Sequence, residues 1–261
     1  MLNIMCETKP IKFTDVDSVG INYLLVIFTV GYCQGMNYVA GLLLLVTKDE
    51  ESAFWLLKTL AERILPDYYA PNIPGLITDV RVLSELIKTK CPAVHKHVES
   101  FSMPWELALS KWFMCLYSDV LPIETVLRIW DCLFYEGSKI LIRVALALVI
   151  QRQHEILMTD EFSKLVIEFK HCAINAATVQ CHNFIVKVWE LSSPLPSKQL
   201  EKLRKDVGTA VRDELADQQE KRDEMKKSRD KKPLSKGQGD KNKMSSNGPR
   251  DSGEGIDDRM I

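Results

Sequence analysis

Residues 30–46 read VGYCQGMNYVAGLLLLV, and this stretch decides how the rest of the chain is read. Its second half is apolar on nearly every side, as a buried helix is. Its opening is odd: Gln34 sits between Cys33 and Gly35, with Gly31 and Tyr32 just ahead of them. One reading is structural, with small residues letting a helix start pack closely and Gln34 solvating its end. The other gives the glutamine amide chemistry to do, since it carries a donor and an acceptor together.

The uncharged run is longer than the quoted stretch, extending from Ser18 to Thr47. That length reaches the span of a bilayer. Asn22, Gln34 and Asn37 lie within it, Gly31, Gly35 and Gly41 interrupt it, and Asp15 and Asp17 precede it, where an anchor would carry Lys or Arg. The pattern therefore predicts two buried helices joined near Thr29–Gly31, with a membrane span as the alternative.

Beyond Thr47 the periodicity is helical throughout. Asp49, Glu50 and Glu51 open a helix whose stripe is Ala53, Phe54, Leu57, Leu60, Ala61 and Ile64, with Pro66 closing it. PDYYAPNIPGLITD, residues 66–79, reads as a loop from its three prolines and its glycine. Further stripes follow: Val82, Leu83, Leu86 and Ile87; then Trp105, Leu109, Trp112, Phe113 and Leu116; then Ile123, Val126, Leu127, Trp130, Leu133 and Phe134, stopped by Gly137. KILIRVALALVIQRQHEIL, residues 139–157, is apolar on most sides and predicts a central helix. Two weaker helices are expected near 160–172 and 178–190. No alternating strand pattern occurs, so the expected class is all-α.

The 261 residues are enough for a real core, at 46% hydrophobic and 26% charged. A formal net charge of −1 gives no basic excess of the kind a nucleic-acid partner would call for. Seven scattered cysteines without a CxxC pair suit buried free thiols in a reducing compartment. His171–Cys172 and Cys181–His182 lack zinc spacing and read as core packing, so no metal site is expected. The sequence contains no GxSxG, P-loop or HExxH motif. Arg128 and Asp131, three apart around Trp130, read as an intrahelical pair beside a core anchor. After Pro194 and Pro196 the chain becomes charge-dense, and residues 194–232 are expected as a solvated helix. Residues 233–261 are expected as a disordered tail.

VGYCQGMNYVAGLLLL, ILPDYYAPNIPGLITD and VLPIETVLRIWDCLFYEG, in that order and at these intervals, resemble the TBC domain, the helical domain of GTPase-activating proteins for Rab GTPases. The resemblance implies a multi-helix domain over residues 31–193, preceded by a divergent segment, 1–30. It also implies two fingers inserted into the nucleotide site of a Rab GTPase. Tyr32-Cys33-Gln34 matches the YxQ motif, making Gln34 the glutamine finger and Tyr32 its support. Gly35 and Asn37 would join the binding surface. The arginine finger, from an IxxDxxR motif, has no counterpart. The first arginine in the chain is Arg63, and the nearest imitation, FTDVDS, carries Ser18 at the arginine position.

Those expectations describe an activator, not itself a hydrolase, with no cofactor of its own, acting on GTP-Mg held by its partner. The chain is expected to be cytoplasmic, or peripheral to endomembranes through the Rab alone. The missing arginine implies a form whose N-terminal part is lost or replaced, with impaired activity. A non-catalytic Rab binder or inactive isoform is the alternative, and a helical scaffold the third.

Overall fold

The computed structural model describes residues 33–174 and 176–230. The expectations for residues 1–30, Tyr32 and residues 233–261 lie outside them. Every regular element among the described residues is helical.

α1 (Met36–Thr47) begins after Gly35, whose φ of 99° takes the chain into a left-handed turn, and ends at Lys48, also left-handed. α2 (Glu50–Thr59) starts as its acids require: the Asp49 carboxylate accepts the Ser52 N–H at 2.8 Å. It does not run unbroken to Pro66. Its last turn widens into a π-helical segment, Leu60–Ile64, in which the Leu65 N–H reaches back to the Leu60 carbonyl. Leu57, Leu60, Ala61 and Leu65 are all buried, and the wider turn carries this apolar stripe into the following loop.

The expected loop over 66–79 is shorter than its prolines suggested. α3 (Pro74–Lys90) starts inside it, with Pro74 in the first turn, where a missing N–H is harmless. Gly75 is obligatory there, because a Cβ would lie 2.4 Å from the Pro66 carbonyl oxygen. Tyr68 and Tyr69 are buried, although they belong to the loop. α4 (Pro92–Ser100), α5 (Trp105–Met114) and α6 (Ile123–Glu136) follow, and Gly137 ends α6 with a positive φ of 86°. In α6 the buried stripe is Val126, Ile129, Trp130 and Leu133, while Ile123, expected in the core, is exposed.

α7 (Lys139–Gln151) is the central helix, buried without interruption from Ile140 to Val149. α3, α6, α9 (Phe162–Ala173) and α11 (Cys181–Ser192) pack around it. One charge lies within this run. Arg143 donates to Ser192 Oγ at 2.7 Å and stacks over the Trp189 ring at 4.4 Å. Two short helices, α8 (Gln153–Leu157) and α10 (Ala176–Val179), connect the rest. Thr125 Oγ1 donates to the Thr178 carbonyl at 2.6 Å, tying α6 to α10.

α12 (Ser197–Asp230) departs from the solvated helix its charges suggested. Leu200 and Val211 are buried, and Arg204 donates to both oxygens of the buried Asp79 carboxylate, at 2.7 and 2.8 Å. Tyr68 also donates to Asp79, and Arg204 Nη1 reaches Ser138 Oγ at 2.9 Å. Burial alone would lower the Arg204 pKa, but the attraction and hydrogen bonds of Asp79 hold it above its ordinary value. Arg81 adds a second tie, to Glu106 at 3.2 Å and Glu214 at 2.7 Å. The compact unit that contains these ties runs to Gln219. The segment Glu220–Asp230 is helical.

Candidate functional site

Gln34 sits in the turn that launches α1. It is exposed, and its amide has no hydrogen-bond partner among the described residues. The backbone around it is nonetheless fixed, because the Met36 N–H bonds the Cys33 carbonyl and the Tyr38 N–H bonds the Gly35 carbonyl, both at 3.2 Å. Among the described residues no side chain caps α1 and no acid stands in its first turn, which leaves the positive end of the helix dipole without a carboxylate of its own helix.

Gly35 explains how the turn is anchored. It is buried, and a Cβ on it would meet Met114 Cγ at 2.7 Å and Cys115 Sγ at 3.2 Å. The close approach this glycine makes is therefore to the end of α5 in its own chain. That end is itself held: Tyr69 donates to the Met114 carbonyl at 3.2 Å, and Ser118 Oγ donates to the Cys115 carbonyl at 2.6 Å. Gln34 thus projects from a turn seated on a fixed platform. Asn37 is exposed one turn along α1, and Tyr38 beside it is 47% exposed.

The flanking thiols are not reactive groups. Burial pushes the Cys33 thiol up, and burial together with the nearby Asp119 raises Cys115 to about 11, so both remain protonated at neutral pH. The arginines are spread elsewhere. Arg63 is exposed on the π-helical turn, Arg81 ties α5 to α12, and Arg143 lies in the core. Arg128 pairs with Asp131 at 3.3 Å, while Trp130 is buried and donates to the Leu116 carbonyl at 2.9 Å, as a fold anchor does. A separate apolar groove of about 360 Å³ opens at the other end of α1, between Leu43, Val46, Leu56, Trp130 and Phe134.

The family model of the Rab-GTPase-TBC domain matches residues 11–157, more than half of the chain. This chain belongs to that family. The match begins ahead of Gly31, inside the segment that read as divergent. Among curated relatives, the growth hormone-regulated TBC protein 1 of Xenopus laevis is 52% identical over 176 residues, covering 67% of this chain and 52% of the relative. The human protein of that name is 49% identical over 175 residues, with the same two shares. This chain thus spans about half the length of the curated relatives it matches. The solved TBC domain of a Chlamydomonas flagellar RabGAP is 35% identical, covers 67% of this chain and 58% of its own, and superposes with a TM-score of 0.59. The all-α architecture is therefore that of a TBC domain. No helix among the described residues is long and apolar enough to cross a membrane.

The reading from sequence passed over one residue of this surface. Lys111, on the exposed side of α5, forms an ion pair with Asp119, which holds its pKa above the ordinary lysine value. Set between Ser110 and Trp112, it carries no signal of its own until the contact of Gly35 with α5 is known.

Proposed function

We propose that this chain accelerates GTP hydrolysis by a Rab small GTPase, with Gln34 inserted in trans beside the nucleotide of its partner. The observation that carries this reading is the exposed amide of Gln34, without a hydrogen-bond partner among the described residues, on a turn held by the seat of Gly35 against Met114 and Cys115. A glutamine amide on a fixed turn can accept from the attacking water and donate to a phosphoryl oxygen, so it orients the water at little entropic cost. The uncapped start of α1 favours the anionic phosphates it would face. Tyr32 would support the turn, and Asn37 would lie on the contact surface. GTP and its Mg ion would belong to the partner, and membranes would be reached only through it.

None of the residues ahead of Gln34 in this sequence is an arginine, so they supply no guanidinium, a group worth roughly 10³ to 10⁵ in rate, and the activation proposed for these 261 residues is weak. Single-turnover hydrolysis by purified GTP-loaded Rab GTPases, with this chain or its Gln34→Ala variant, tests the reading. A modest acceleration that Gln34→Ala abolishes supports it. Binding without acceleration would make the chain a non-catalytic Rab binder, the second reading that the missing arginine favours. Neither binding nor acceleration would leave a helical scaffold.

A further inference from the structure

The surface that carries Gln34 also carries a cation. Met114, whose Cγ would touch a Cβ at Gly35, follows Lys111 by three residues on α5. Residues three apart on a helix lie ~5–6 Å from one another at Cβ, so the base of Lys111 stands one turn from the seat of the finger. Its side chain is 64% exposed, and a four-carbon stem gives it a reach of several ångströms from that base. Tyr38, one turn after Gln34, is exposed on α1 within electrostatic reach of Lys111. Leu107, one turn before Lys111, is exposed on the same side of α5. Gln34, Tyr38, Lys111 and Leu107 are all exposed, and the approach of Gly35 to Met114 joins the two elements that bear them.

We infer that Lys111 supplies positive charge beside the glutamine finger and meets the phosphate oxygens of the nucleotide held by the partner GTPase. The inference rests on the activating function proposed above. In the reaction, water adds to the γ-phosphorus as its bond to the β–γ bridging oxygen breaks, giving GDP and inorganic phosphate, and Lys111 keeps its proton throughout. In the free chain Asp119 occupies the ammonium. On engagement the ammonium exchanges that carboxylate for phosphate oxygens, which carry more charge. A lysine is a compact point charge without the guanidinium's two-pronged geometry, so it replaces an arginine finger only in part.

The test is single-turnover hydrolysis by a panel of GTP-loaded Rab GTPases with the full chain and its Lys111→Ala, Lys111→Arg and Asp119→Asn variants, each checked for an unchanged melting temperature. Affinity for the same GTPases loaded with GDP and aluminium fluoride is measured in parallel. Lys111→Ala is expected to cut the acceleration about tenfold or more and to weaken the aluminium fluoride complex more than the GTP-analogue complex. Lys111→Arg is expected to restore both, and Asp119→Asn, which frees the ammonium, to raise the acceleration. Acceleration abolished by Gln34→Ala but unchanged by Lys111→Ala would overturn this inference alone. No acceleration of any GTPase by the unaltered chain would overturn it together with the function it rests on.

Discussion

α7 and α1 are both strongly apolar helices, and the molecule uses them in opposite ways. α7 is enclosed from Ile140 to Val149, and its one buried charge, Arg143, bonds Ser192 through Nη1 and stacks on Trp189. α1 buries Val39, Ala40, Leu42, Leu43 and Leu44 but leaves Tyr38 and Leu45 about half exposed, with Gln34 at its head. The first helix is a hub for its neighbours, whereas the second is a mount that presents a surface. Apolar composition alone does not separate these roles. The elements that pack around each helix do.

The contrast can be broken or sharpened by substitution. Leu146→Ala in α7 removes a fully buried side chain and is expected to cost about 3 kcal/mol, read as a lower midpoint in urea unfolding. A loss near zero would mean that α7 is not the hub. Gly35→Ala imposes a left-handed conformation on a residue with a side chain and drives its Cβ into Met114, for a cost of about 2 kcal/mol. It is also expected to displace Gln34, so any GTPase acceleration should fall by more than the loss of folded protein explains. Equal losses of folding and activity would show the seat to be structural only. Leu45→Ser, on the open face of α1, is expected to change stability by less than about 0.5 kcal/mol. A cost above 1 kcal/mol would mean that something covers that face in solution.

Much of this architecture was legible in the sequence, because helical periodicity reports burial directly. The apolar run of α7, the acidic start of α2 and the glycine stop of α6 were readable from residue order alone, whereas the helix expected over 139–157 breaks at Arg152 into α7 and α8. The π-helical turn after Thr59 was not, since its signal is only a stripe slightly out of phase. Tyr68 and Tyr69 looked like loop residues, and their burial depends on α3 starting earlier than its prolines suggested. Of the candidate site, Gln34 stood out by its unusual neighbours. The seat of Gly35 on Met114 joins residues far apart in the chain, and no local pattern announces it. Lys111 was invisible for the same reason. α12 misled most: a charge-dense helix reads as solvated, and only the position of Asp79 shows that Arg204 is turned inward.

That inward arginine bears on how the protein is made. Asp79 and Arg204 are 125 residues apart in the chain. At about 5–20 residues per second, the ribosome delivers the acid roughly 6 to 25 seconds before its counter-charge. During that interval Asp79 cannot be buried as an anion without a heavy penalty, and Tyr68 alone does not neutralise it. Until α12 emerges, closing α3 over the Asp79 carboxylate is disfavoured, because its guanidinium partner is still missing. A ribosome stalled before Arg204 would hold an incompletely closed chain, the kind of nascent species that chaperones bind.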